Sequence, residues 1–170
     1  MKKYVLTGGP GIGKTTIIEL LSQKGYAIVP EAARMIIEEE KLKGSNILPT
    51  GDIAKFQILV ADRQLELEAV AKGEVVFCDR SIIDGYGYCK EAKVAVPKNI
   101  LDLGRGRYYK VFLLAPLNYY STDDARFEHP ELAMAIHEAI VEAYKELDYE
   151  LVEVPVLPPS ERVGFILDNL

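Results

Sequence analysis

The chain has 170 residues, enough for one domain that buries roughly 70% of its unfolded surface without disulfide or metal staples. Its 49% hydrophobic and 27% charged residues are the composition of an ordinary globular protein and exclude disordered, collagenous and low-complexity classes. A formal charge of −6 argues against a broad polyanion-binding surface and so against nucleic acid as a partner, because phosphate contacts need clustered Lys and Arg.

Met1 to Leu6 carries two lysines but too few apolar residues for the core of a secretion signal. No apolar run approaches the ~18 to 20 residues that cross a bilayer. The expectation is a cytoplasmic protein without membrane contact, with Cys78 and Cys89 as reduced thiols.

Tyr4-Val5-Leu6-Thr7 is a β-prone run that stops at two glycines, and after Gly13 the spacing of Ile17, Leu20 and Leu21 is helical. Gly25 closes that helix, Tyr26 to Val29 form a second strand, and Pro30 starts a helix whose polar end is Glu38-Glu39-Glu40. A loop from Gly44 to Gly51 leads to Asp52, which caps a long helix with Ile53, Phe56, Val60, Leu67 and Val70 on one face. Val75 to Cys78 is apolar at consecutive positions, as a strand buried on both faces requires, and ends in Asp79-Arg80-Ser81. Val111 to Leu114 repeats that pattern. An amphipathic helix with Leu132, Ile136, Ile140, Tyr144 and Leu147 precedes a strand at Leu151 to Val154, and a last helix runs from about Ser160. Strands alternating with helices indicate a parallel sheet covered on both faces.

Gly8-Gly9-Pro10-Gly11-Ile12-Gly13-Lys14-Thr15 matches GxxxxGK[ST] at every defined position, between the strand and the helix that the motif requires. In such a loop successive backbone N–H groups turn inward around a phosphate, in conformations that a Cβ obstructs, at the positive end of a helix. Gly9, Pro10, Gly11, Ile12, Gly13, Lys14, Thr15 and Thr16 are therefore the expected nucleoside-triphosphate site. Lys14 supplies a point charge for the β- and γ-phosphates, Thr15 a hydroxyl for Mg²⁺, and Thr16 a donor from the first helical turn. Asp79 ends a buried strand, where open parallel sheets bind ligands, and is the second expected Mg²⁺ partner.

Other polar residues have two readings. Glu31 is either the carboxylate that meets an attacking hydroxyl or a first-turn Glu favoured by the helix dipole. Arg34, three residues on, either binds substrate phosphate or pairs with Glu31. Residues 90 to 110 concentrate Lys90, Lys93, Lys98, Arg105, Arg107 and Lys110 against Glu91 and Asp102. That stretch faces an anion, with Arg105 and Arg107 as substrate contacts, or is a solvated surface. His129 is a helix-start residue, and His137 falls on the exposed side of its helix.

On these residues the chain resembles the small P-loop kinase-like ATPases related to the ribosylnicotinamide kinase domain of NadR-type proteins. The resemblance runs through GGPGIGKTT, Pro30-Glu31-Ala32-Ala33-Arg34, Asp79-Arg80-Ser81 with Asp84 and Tyr88, Arg126 before a helix, and the strand from Tyr149 to Pro155. More distantly, Glu31, Phe56-Gln57 and Asp79-Arg80-Ser81 look like the arrangement in deoxynucleoside kinases. There a Glu after the second strand accepts the proton of the acceptor hydroxyl, and a helical Gln reads the nucleobase. This chain departs from that pattern in lacking a proline after Glu31 and in opening the third-strand motif with Asp. The resemblance implies a lid-like segment at about 118–130 carrying Arg126, and a loop from Pro155 to Ser160 beside the nucleotide base, with Arg162 covering it.

The combined expectation is a single domain over residues 1–170, a three-layer α/β/α P-loop fold with a five-stranded parallel sheet ordered 2-3-1-4-5. Its expected activity is Mg²⁺-dependent transfer of the γ-phosphoryl group of ATP or GTP to a hydroxyl of a small nucleoside-like or phosphorylated acceptor. Lys14 holds the donor, Thr15 and Asp79 the metal, and Glu31 the acceptor hydroxyl. Arg80 and Arg126 meet the developing charge, while Arg34 and Gln57 contact the acceptor. The alternative is an NTP-binding switch or NTPase acting through a protein partner. Oligomeric state stays open.

Overall fold

The computed structural model describes residues 1–116 and 129–170. Its first elements are β1 (Lys2–Thr7), α1 (Lys14–Gln23), β2 (Ala27–Val29), α2 (Ala32–Leu42), α3 (Ile53–Val70) and β3 (Val75–Asp79). The remaining elements are α4 (Ile82–Glu91), α5 (Lys98–Gly104), β4 (Lys110–Leu114), α6 (Pro130–Glu146), β5 (Leu151–Val154) and α7 (Pro159–Asp168). The strands pair in parallel in the order β2-β3-β1-β4-β5, as the sequence predicts. Leu6 of β1 lies opposite Asp79 of β3, so the loop leaving β1 and the acid ending β3 emerge side by side.

The consecutive apolar residues of the strands are shared between two cores, because neighbouring strand residues point to opposite faces. Val5, Val76, Cys78 and Val111 pack with Ile82, Ile83, Ile140 and Tyr144 from α4 and α6. Tyr4, Leu6, Phe77 and Phe112 pack with Ile17, Leu21, Val163 and Ile166 from α1 and α7. The result is the expected three-layer fold. Among the described residues no helix is long and apolar enough to cross a membrane.

Two helices, α4 and α5, lie where the sequence reading placed none. For α4 the start signal is present: Ser81 Oγ accepts from Ile83 N, and the Asp84 carboxylate accepts from Ser81 N at 3.0 Å, a reciprocal capping box. Gly85 and Gly87 mask the rest of the helix, each costing about 1 kcal/mol relative to Ala in a helix interior. Their reason is tertiary. A Cβ on Gly87 would lie 2.6 Å from Ile140 Cγ1 and 2.7 Å from Ile140 Cα, so this glycine lets α4 and α6 touch backbone to backbone.

The anion-facing role expected of Arg105 and Arg107 is corrected by topology. Both precede the amino end of β4, whereas the phosphate loop leaves the carboxyl end of β1 in a parallel sheet. Arg107 Nε donates to Glu68 Oε2 at 2.8 Å, and Arg105 pairs with Asp148 and donates to the Glu146 carbonyl at 3.2 Å. Lys90 is likewise neutralised by Glu142 and Glu146 at 3.0 and 2.6 Å. Lys90, Arg105 and Arg107 are thus paired locally, and both arginines lie at the opposite end of the strands from the loop.

The glycines of the helices make a paired test. Gly87→Ala should lower unfolding stability by about 1–3 kcal/mol despite its better helix propensity, because backbone cannot yield to the new methyl. Gly164→Ala on α7 meets nothing within 4 Å and should instead stabilise by about 0.4–1 kcal/mol. Urea unfolding of the two variants checks both signs.

Candidate active site

The loop between β1 and α1 bends through glycines in left-handed conformations, with φ of 128° at Gly8 and 85° at Gly13, which caps α1. Lys14 folds back over it. Its Nζ donates to the carbonyls of Gly8 and Gly9 at 3.0 and 2.6 Å, and burial, then the neighbouring Arg80 charge, lowers its pKa to about 7. Thr15 and Thr16 open α1 in exposed positions.

Asp79 stands beside this loop, and its Oδ1 is buried without a hydrogen-bond partner among the described residues. Burial and the charge of Glu31 raise its carboxyl to about 6, against the pull of Lys14 and Arg80. A buried carboxylate oxygen without a donor is a suitable partner for a hydrated divalent cation, and Thr15 lines the same cavity. Thr15 and Asp79 thus fit the Mg²⁺ expected from the motif.

Arg80 is 8% exposed and ties the site together. Its Nε donates to Glu31 Oε1 at 3.0 Å, and its Nη1 donates both to Asp84 Oδ1 and to the Gly8 carbonyl at 3.1 Å. Its backbone is left-handed, with φ of 68°, a conformation that costs a non-glycine residue about 1–2 kcal/mol. Two hydrogen bonds hold it there: Arg80 N donates to Leu6 O at 3.0 Å, and Gln64 Nε2 donates to Arg80 O at 3.4 Å.

Glu31 is the N-cap residue of α2, yet its side chain makes no cap hydrogen bond and reaches Arg80 instead. Burial pushes its carboxyl up, but the charges of Arg80 and Lys14 outweigh that and hold it below the usual range. Arg34 Nε lies 3.8 Å from Glu31 Oε2 and is 54% exposed at the cavity wall. Gln57, 4% exposed, lines the same cavity, and the missing Cβ of Gly85 makes room for its amide, since a Cβ there would lie 2.9 Å from Gln57 Oε1.

One cavity of about 360 Å³ joins these groups. Loop residues Pro10 to Thr15 line it together with Asp79, and Ile37, Phe56, Val60 and Tyr88 from α2, α3 and α4 add apolar lining. Lys14, Thr15, Glu31, Arg34, Gln57, Asp79 and Arg80, predicted from widely separated segments, all line it.

Gly9, Thr16 and Arg162, also expected at the site, do not line this cavity. Arg126, with the lid-like segment through residue 128, lies outside the described residues. Gly9 turns toward α6, where its N–H donates to His137 Nδ1 at 3.1 Å, so His137 is not simply on an exposed helix side. Arg162 is corrected from a residue covering a base to one turned inward: its guanidinium donates to the carbonyls of Ile12, Pro155 and Ala115 at 3.0, 3.1 and 3.4 Å. It supports the phosphate loop from behind because three converging carbonyls need a buried multivalent donor.

The sequence reading assigned no chemistry to the hub around Asp84. Its carboxylate accepts from Thr7 Oγ1 and Tyr144 OH at 2.7 Å each, besides Ser81 N and Arg80 Nη1. The Ser-x-x-Asp capping spacing at Ser81 was the local signal for it.

With this geometry, the family model described as AAA domain matches residues 3–162, and the chain belongs to that family. No curated protein matches the chain. Among solved structures it is similar to NadR protein in complex with NR, at 17% identity and a TM-score of 0.69 over 98% of this chain and 49% of that one. The chain thus spans about half the length of that relative. Deoxyadenosine kinase from M. mycoides with bound dCTP gives 17% identity and a TM-score of 0.66 over 98% and 97% of the two chains. Thymidylate kinase from Candida albicans gives 15% identity and 0.66 over 99% and 90%. The likeness establishes a P-loop kinase fold.

Removing the Asp84 carboxylate takes one of two acids from the buried Arg80 guanidinium and leaves the buried hydroxyls of Thr7 and Tyr144 without their acceptor. Asp84→Ala should therefore cost about 3–5 kcal/mol of unfolding stability, and Tyr144→Phe, which removes one neutral donor, about 1–3 kcal/mol. Guanidinium-induced unfolding measures both, and the order of the two losses checks the hub.

Proposed function

We propose that the protein is a phosphotransferase that moves the γ-phosphoryl group of ATP or GTP to a hydroxyl of a small nucleoside-like or phosphorylated acceptor. The observation that supports it is one cavity lined both by the phosphate loop and by apolar residues of α2, α3 and α4, with Glu31 in the same lining. An NTP-driven switch read by a protein partner needs the loop but not the added apolar lining.

In this reading the loop amides and Lys14 hold the donor's phosphates, Thr15 and Asp79 seat Mg²⁺, and Gln57 and Arg34 orient the acceptor. Magnesium supplies charge neutralisation on the transferring phosphates. The acceptor oxygen attacks phosphorus, the bond from phosphorus to the β,γ-bridging oxygen breaks, and the nucleoside diphosphate leaves. The acceptor proton passes to Glu31, whose ionised carboxyl aligns the hydroxyl before transfer. Arg80, fixed between Glu31 and the loop, presents positive charge where the phosphoryl group crosses.

Incubation with γ-labelled ATP or GTP and a pooled metabolite extract tests this, with Lys14→Ala as the control. Label in an acceptor-dependent product supports transfer, and label appearing only as free phosphate defeats it. Glu31→Gln should reduce turnover roughly 10²-fold with little change in nucleotide affinity.

The pH dependence has a definite sign. The Asp79 carboxyl, at about 6, is protonated below that pH and ionised above it. Metal-dependent nucleotide binding should weaken as pH falls through about 6, approaching tenfold per pH unit. Calorimetric titrations from pH 5 to 8 should show this slope, and Asp79→Asn should flatten it.

A further inference from the structure

His137 on α6 is held against the phosphate loop, and the chemistry above does not use it. Its Nδ1 accepts from Gly9 N at 3.1 Å, so the neutral ring carries its proton on Nε2. The Gly9 N–H and the Gly8 carbonyl belong to one planar peptide unit and point in opposite directions. Pinning the N–H therefore aims the carbonyl. That carbonyl accepts from Lys14 Nζ at 3.0 Å and from Arg80 Nη1 at 3.1 Å, the two cations of the proposed transfer.

The loop has little of its own to settle this plane. Gly8, with φ of 128°, lies where only glycine moves freely, so the peptide after it needs an outside partner. Contact with α6 is close enough to supply one. A Cβ on Gly9 would lie 2.8 Å from the Ala133 carbonyl oxygen and 3.0 Å from His137 Cβ. The charged groups that bear on the ring are Lys14 from the loop side, Glu153 from β5 and Glu138 from α6 itself. Burial first, then Lys14, keeps the ring neutral, while the two carboxylates oppose them.

We infer that His137 is a positioning residue of the donor site: by accepting the Gly9 amide it orients the Gly8–Gly9 peptide so that the carbonyl holds Lys14 and Arg80 toward the phosphates. The inference rests on the reading that this loop binds a nucleoside triphosphate, and it adds a determinant that the GxxxxGK[ST] pattern does not contain.

Asn and Leu are nearly isosteric, and only Asn offers an acceptor close to the place of Nδ1. The affinity of a non-hydrolysable ATP or GTP analogue with Mg²⁺, measured by calorimetry, should fall about 10-fold at pH 7.5 in His137→Leu, because a poorly solvated donor is left unpaired. His137→Asn should recover most of that loss. As pH falls below the ordinary imidazole range, wild type should also weaken relative to His137→Asn, since an imidazolium has no lone pair for Gly9 and adds charge beside Lys14. Wild-type affinity in His137→Leu overturns the inference, as does an Asn variant no better than Leu. A ratio that moves the other way because the imidazolium attracts phosphate also overturns it. Should His137→Leu fail to fold, His137→Ala takes its place in the comparison with His137→Asn. Absence of triphosphate binding by wild type at pH 7.5 defeats the donor assignment itself and this inference with it, whereas normal wild-type binding with an unaffected Leu variant defeats only the inference.

Discussion

A guanidinium taken out of water must be met by acceptors, and the three that meet Arg80 come from three different parts of the chain. Glu31 arrives from the end of β2, the Gly8 carbonyl from the phosphate loop and Asp84 from the first turn of α4. Satisfying one cation therefore fixes the relative positions of the start of α2, the glycine loop and the first turn of α4. Arg80 can reach all three because its backbone turns left-handed as it leaves β3, and Gln64 with Leu6 hold that turn.

Around this cation the site is electrostatically incomplete in two opposite senses. Lys14 is pushed down to about 7, with its ammonium spending its hydrogen bonds on loop carbonyls. Asp79 is pushed up to about 6, with one oxygen unpaired. A polyanion alone would suit the first and a divalent cation alone the second. A metal–polyphosphate suits both, since each charge then gains the partner it lacks. The apolar lining by Phe56, Val60 and Tyr88 has no part in that pairing.

The strands and the phosphate loop were legible because their signals are local: consecutive apolar residues for a strand buried on both faces, and eight contiguous residues for the loop. Where local signals were overridden, the reading failed. Gly85 and Gly87 lower helix propensity in α4, yet close approach to Gln57 and Ile140 requires them. The basic residues from 90 to 110 form a run in sequence, but a run does not reveal which end of a parallel sheet it occupies, and acids from α3, α6 and beyond pair with Lys90, Arg105 and Arg107.

Sequence alone determined the layered α/β fold, the strand order and the place of the glycine loop, because hydrophobic periodicity and a contiguous glycine pattern act over a few residues. Tertiary structure alone decided that Arg80 is a fixed bridge, that Arg162 faces inward and that His137 touches the loop. Each of those depends on a hydrogen bond to a backbone carbonyl or amide, across 72, 150 and 128 residues of chain respectively. Every residue carries such backbone groups, so composition and spacing leave no mark of which ones a distant side chain will find; only the folded path of the main chain selects them.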